Sequence, residues 1–320
     1  MSDDKHYNQL TDRIIALMEA GNLPPWLKGW EAGHAPTGPW NPASGHTYSG
    51  ENVYTLLFAQ EDRGLEDASW MTYNQARAVG AQVMKGAKSV RIKIYRIKSD
   101  EEKRTILERD PQGNINPIAK PAFVFPTSEI SGLPPELLAP KCRLNEIERH
   151  EACERLLAAS GVTIKHDKDQ AYYRPSTDTI HMPPRGAFQS ADFYYATALH
   201  ELAHATGHQK RLNRESLANG LWGTPEYARE ELVAETASYF MGQRLGIGHD
   251  PGNHAAYLKF WINELKSDNK LMSRAASQAA EVCKYLGITA DLIQVQPLQR
   301  VQQQTKEQHQ EEDLGQEMAA

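Results

Sequence analysis

A chain of 320 residues with 40% apolar and 24% charged side chains is too long for one small core, so two domains with loose ends are expected. A membrane span of about 18 continuous apolar residues is absent, the N-terminus lacks the features of a secretory signal, and three cysteines without C-x-x-C spacing exclude a disulfide framework or cysteine zinc site, so a reducing cytoplasm is the expected compartment. The net charge of -6 would argue against a nucleic-acid partner if it were spread evenly, which it is not.

In chain order, residues 7–20 place Leu10, Ile14, Leu17 and Met18 at helical spacing, and Gly21, Pro24 and Pro25 end the run. A loop follows, crowded with Trp26, Trp30, Pro36, Pro39, Trp40 and Pro42 and too broken by proline for helix or strand. Val53, Leu56, Leu57 and Phe58 suggest a second helix, and residues 72–81 a third, with Thr72 as its N-cap. Residues 69–99 contain no acid but carry Arg77, Lys85, Lys88, Arg91, Lys93, Arg96 and Lys98. Within that run Val90, Ile92, Ile94, Tyr95 and Ile97 alternate with basic residues, which predicts a strand with one buried and one positive face. Residues 122–125 are its natural partner.

Pro134, Pro135 and Pro140 mark a boundary, so the chain divides into a domain at 1–133, a linker at 134–143 and a domain at 144–295. The second domain reads as a helix at 145–159 and short strands near 162–165, 171–174 and 179–182. Helices follow near 190–207, 225–245, 253–265 and 272–286. Residues 296–320 are rich in Gln and Glu and are expected to form a disordered tail. The fold class is α+β: a small α+β domain, then a short sheet with helices.

The sharpest motif is His200-Glu201-Leu202-Ala203-His204 inside a predicted helix. Residues four apart stand one above the other on a helix, so both imidazoles reach one cation with Glu201 beside them. A zincin-type centre needs a third protein ligand and leaves a further position to water. The continuation H-E-x-x-H-x-x-G-x-x-H finds Gly207 but fails at Lys210. A glutamate from the next helix fits instead: in Glu231-Leu232-Val233-Ala234-Glu235 the first acid is assigned to the metal and Glu235 to a position behind a ligand histidine. Glu230 and Glu235 remain alternative ligands, and His208 shares the His200/His204 stripe if the helix runs past Gly207. One divalent ion is expected, zinc or else manganese. Glu201 is then the catalytic base of a metal-dependent peptidase, moving a proton from water to the leaving amine. The strand carrying Thr179, Ile180 and His181 is expected to hold an extended peptide by main-chain pairing.

Trp26, Trp30, Trp40 and Trp70 are four of six tryptophans, joined in the same region by Tyr48, Tyr54 and Tyr73. Aromatic stacking beside a positive groove is how single-stranded nucleic acid is held without sequence preference. The nucleic-acid-binding candidates are Trp40, Tyr48, Trp70, Tyr73, Lys85, Lys88, Arg91 and Lys93. Each tryptophan is equally suited to packing a small core, and the basic strand to a solvated face.

Residues 39–52 (PWNPASGHTYSGEN), 70–76 (WMTYNQA) and 85–88 (KGAK), together with 178–183 (DTIHMP), the His200 to His204 motif and 230–235 (EELVAE), resemble the ArdC family of plasmid antirestriction proteins. That family shares its N-terminal domain with plasmid-encoded primases. The resemblance covers nearly all the chain except the tail. It implies a single-stranded-DNA-binding domain fused to a zincin-like metallopeptidase domain, shielding incoming plasmid DNA from host restriction. The implied partners are single-stranded DNA and an unidentified protein substrate connected with restriction, with no membrane. The alternative is a protein that protects single-stranded DNA by occupying it, its metal serving structure only. A nuclease is disfavoured, because no carboxylate cluster suited to two Mg²⁺ ions is apparent.

Overall fold

The computed structural model describes residues 3–27, 38–96, 118–138, 144–220, 223–248 and 258–288. The expected Gln/Glu-rich tail, Trp30 and part of the linker lie outside them. The chain forms two compact units: residues 39–48 with 52–139, and residues 1–38, 49–51 and 140–320. The break at 139/140 falls within the 134–143 stretch marked by the prolines, while α1 (Asp3–Glu19) groups with the second unit rather than with the first. Its apolar stripe, with Leu10, Ile14 and Met18 buried, packs there against a C-terminal helix.

The N-terminal unit holds α2 (Glu51–Arg63), β1 (Trp70–Thr72), α3 (Tyr73–Ala78), β2 (Gln82–Val83), β3 (Val90–Arg96), β4 (Ile118–Pro126), β5 (Ile130–Ser131) and α4 (Pro135–Leu138). Thr72 caps α3 as expected: its hydroxyl accepts the Gln75 N–H at 3.2 Å, and the Gln75 side chain accepts the Thr72 N–H. Strand β4 is the middle of a three-stranded antiparallel sheet, ordered β1-β4-β3. One sheet face packs Trp70, Ile92 and Val124 against Leu56 of α2. The alternation read for β3 is corrected on both faces. Lys93 is only 3% exposed, and Asn52 pairs with its backbone like a strand edge, donating to the Lys93 carbonyl at 2.6 Å and accepting its N–H at 2.9 Å. Ile94, on the supposedly buried side, is 47% exposed.

The C-terminal unit adds α5 (Glu146–Ala159), β6 (Thr163–Lys165), β7 (Tyr172–Arg174), β8 (Thr179–His181), α6 (Ala191–Thr206), α7 (Glu215–Asn219), α8 (Pro225–Leu245), α9 (Leu258–Ser267) and α10 (Leu271–Tyr285). Strand β8 is the centre of its sheet, parallel to β6 and antiparallel to β7. Its main-chain groups are therefore already paired, which corrects the expectation that it receives a peptide. Ser190 caps α6 by accepting the Phe193 N–H at 3.3 Å. Thr224 caps α8, Pro225 opens it, and Gly246 closes it at φ 71°, a left-handed position that suits glycine. Helix α8 is the hub of the unit, with α6 and α10 packed on it. Cys153 and Cys283 are free and buried. Among the described residues no helix is long and apolar enough to cross a membrane.

Candidate metal centre

Helix α6 is apolar nearly all round, with Leu199, Leu202 and Ala203 fully buried, so its motif residues are held inside packing rather than on a solvated stripe. Helix α8 runs beside it and is buried from Glu230 to Gly242. The two helices bring Nε2 of His200 and Nε2 of His204 within 3.1 Å of each other. The Glu231 carboxylate closes the group, 3.8 Å from His200 Nε2 and 3.5 Å from His204 Nε2. Ligand atoms on a tetrahedral ion with bonds of about 2.0–2.1 Å stand roughly 3.3 Å apart. His200, His204 and Glu231 thus fit one small divalent ion.

A carboxylate stands behind each imidazole. Glu235 Oε1 is 3.3 Å from His200 Nδ1, and Glu230 Oε1 accepts from His204 Nδ1 at 3.2 Å. With a protonated Nδ1 facing each carboxylate, both Nε2 lone pairs would be turned to the same point, where a cation could be held. The two acids of α8 that sequence left as alternative ligands are thereby occupied elsewhere, and Glu231 faces the ligand atoms. Burial alone would lower the His204 imidazole, but Glu231, Glu230 and Glu201 outweigh it and raise it to about 9. Burial would raise the Glu230 carboxyl, and the His204 and Arg214 hydrogen bonds bring it down to about 2. The centre is an acid-lined seat for positive charge. Glu201 is 7% exposed. His208 lies beyond the end of α6, 3.8 Å from Asp178. Asp178, at φ 48°, also accepts from Tyr173 at 2.8 Å and pairs with Arg211, tying β8 to the segment after α6.

The N-terminal candidates separate into two sets. Trp40 is 8% exposed and Trp70 is fully buried, so neither ring is free to stack on a base. Tyr48 donates to the Trp70 carbonyl at 3.0 Å, and burial pushes its hydroxyl up to about 12 against the Asn41 hydrogen bond. Asn41 accepts the Ala43 N–H at 3.0 Å and donates to Gln75 at 3.0 Å. The aromatic motif is therefore a lock between its own loop and α3. Tyr73, at 44% exposed, Lys85 and Lys88 stand on the surface; Arg91 is half-buried and Lys93 is inside. Sequence reasoning passed over Phe123, which is 53% exposed and faces Arg91 across β3 and β4. The apolar run at 122–125 hid it, although period-2 alternation would have set Phe123 opposite the buried Val124.

The HExxH helix, its acid-bearing partner helix and the small mixed sheet define the class of the C-terminal unit, a zincin-like metallopeptidase domain. Residues 151–278 match that family, and residues 4–125 match the N-terminal domain of anti-restriction factor ArdC. The Mn(II)-bound crystal structure of the antirestriction ArdC protein from the R388 plasmid superposes with a TM-score of 0.69 at 34% identity, covering 89% of this chain and 97% of that one. The chain belongs to the ArdC antirestriction family. DNA primase TraC of Escherichia coli is 41% identical over 316 residues, 94% of this chain, which spans only 28% of the primase's length. An uncharacterized protein of Sinorhizobium fredii, y4eC, is 34% identical over 91% of its own length.

Proposed function

We propose that the chain binds single-stranded DNA through its N-terminal unit and protects incoming plasmid DNA from restriction, while a one-metal site cleaves a protein met on that DNA. The observation that carries the enzymatic half is the convergence of His200, His204 and Glu231 with Glu235 and Glu230 behind the two imidazoles. His200 and His204 would hold the ion through Nε2, and Glu231 through a carboxylate oxygen. When bound, a divalent ion supplies Lewis acidity toward a substrate carbonyl and acidifies a water molecule. Zinc suits this donor set, and manganese is supported by the relative that carries it. Glu201 takes the proton of the attacking water on its carboxylate and passes it to the leaving nitrogen. With β8 paired on both sides, the outer edges of β6 and β7 are the places for an extended peptide to add as a further strand.

Kinship with a primase and the exposed set Tyr73, Phe123, Lys85 and Lys88 support the nucleic-acid half. The test is Glu201→Ala in the full chain, assayed for metal content, cleavage of proteins bound to single-stranded DNA, and protection of plasmid DNA. Metal should stay while cleavage and protection are lost. Protection at the wild-type level would show that occupancy of the DNA suffices and that the metal serves structure.

A further inference from the structure

Arg214 lies outside the five-residue motif and outside the ligand set, yet it is 5% exposed. A buried guanidinium must place five N–H donors. Its Nε donates to Glu230 Oε2 at 3.0 Å and its Nη2 to Glu230 Oε1 at 2.5 Å, a two-pronged grip. Nη2 also donates to the Ala203 carbonyl at 2.7 Å, and Nη1 to the Thr206 hydroxyl at 2.8 Å. Those partners sit on the last turn of α6 and the early turns of α8. Arg214 therefore bolts together the two helices that supply the three ligand side chains.

The grip also settles what Glu230 does. Besides the guanidinium, its Oε1 accepts from His204 Nδ1 at 3.2 Å and its Oε2 from the Ser216 hydroxyl at 2.6 Å. Both oxygens are taken, so this carboxylate, next in sequence to Glu231, is kept from competing for the ion. Gly207 supplies an independent observation. Its φ is -74°, where any residue sits comfortably, so the backbone does not require glycine. A Cβ there would stand 2.8 Å from Arg214 Nη2 and 2.9 Å from its Cζ. Glycine is needed to let the guanidinium reach the end of α6.

We infer that Arg214 is a positioning residue for the metal centre: it holds Glu230 against Nδ1 of His204, which aims Nε2 at the ion and keeps Glu230 off it. The inference rests on the one-metal reading above. Partners behind a ligand histidine commonly change metal affinity 10–100-fold, and such a change is what sets positioning apart from mere folding.

The test uses the full chain with Arg214→Gln, Arg214→Lys, Glu230→Gln and Gly207→Ala, and Arg155→Gln as a surface control. Mn²⁺ is titrated while free Mn²⁺ is followed by electron paramagnetic resonance. Each metal-free variant is checked by circular dichroism, and the Co²⁺-loaded forms by visible absorption. Glu230→Gln keeps the shape and should bind Mn²⁺ about 10–100-fold more weakly, with an altered Co²⁺ band. Arg214→Gln should lose at least as much, and Arg214→Lys should recover part, because an ammonium keeps the charge without the two-pronged grip. Gly207→Ala should shift affinity the same way, and Arg155→Gln should not. If Arg214→Gln fails to fold, Glu230→Gln and Arg214→Lys decide. Folded variants that bind Mn²⁺ within twofold of wild type overturn the inference while leaving the metal centre in place. A wild-type chain that takes up neither Mn²⁺ nor Zn²⁺ overturns the metal reading and this inference with it.

Discussion

In the C-terminal unit, the residues singled out by spacing meet at one point. In the N-terminal unit, half of those singled out by composition turn inward. His200, His204 and Glu231 converge to a spacing that suits one cation, a geometry that few sequences satisfy by accident. Trp40, Tyr48, Trp70 and Lys93 had no such constraint, and the same aromatic and basic side chains serve equally well as core and lock. Side-chain chemistry predicts a site when several groups must share one partner, and predicts little when each could act alone.

The largest effect that would sharpen this contrast is at Glu201. Glu201→Gln should retain stoichiometric metal, measured by elemental analysis, and lower peptide hydrolysis roughly 10²–10⁴-fold; loss of metal instead would make Glu201 a ligand. Next comes Trp70→Ala, which should cost about 3–5 kcal/mol in urea unfolding of the N-terminal unit, a penalty expected of a core ring. If the variant keeps wild-type stability and loses only DNA affinity, the inward set is functional after all. Phe123→Ala and Tyr73→Ala should do the opposite. Each should leave unfolding nearly unchanged and weaken single-stranded DNA binding by about 1–3 kcal/mol in fluorescence anisotropy.

Smaller again is the effect of charge. Replacing Lys85 and Lys88 together should flatten the dependence of log affinity on log salt by about 1.4, while Lys93→Met should leave that slope alone. The smallest effect concerns Asp178, whose carboxyl is held low by the Arg211 hydrogen bond despite some desolvation. A carboxyl depressed on folding stabilises above its unfolded value of about 3.9 and loses that contribution as pH falls through the folded one. Asp178→Asn, which keeps the left-handed backbone accessible, should therefore melt a few degrees lower at pH 7, with the gap closing below about pH 4.

Helix starts were legible: Thr72 was readable as the cap of α3, and the starts expected at 145, 190 and 225 lay within one residue of those of α5, α6 and α8, where Asn145, Ser190 and Thr224 prove to be the caps. Three strands of the second domain lay within a residue or two of their expected places. Their order did not follow from the chain, because β6 pairs directly and in parallel with β8, and the intervening β7 lies on the far side of β8. The motif histidines and Glu201 were readable directly. Arg214 was not, since its partners come from α6 and α8 and no local spacing announces them. The pairing of Asn52 with the Lys93 backbone was likewise not readable, since the two are distant in sequence.

The two buried thiols offer a built-in clock for the unit that holds the candidate metal centre. Cys153 on α5 and Cys283 on α10 are both sealed in packing, and burial pushes both thiols up, so alkylation must wait for an opening. In a Cys142→Ser background, maleimide labelling rates would time the breathing of this half of the protein alone, and metal uptake should slow them.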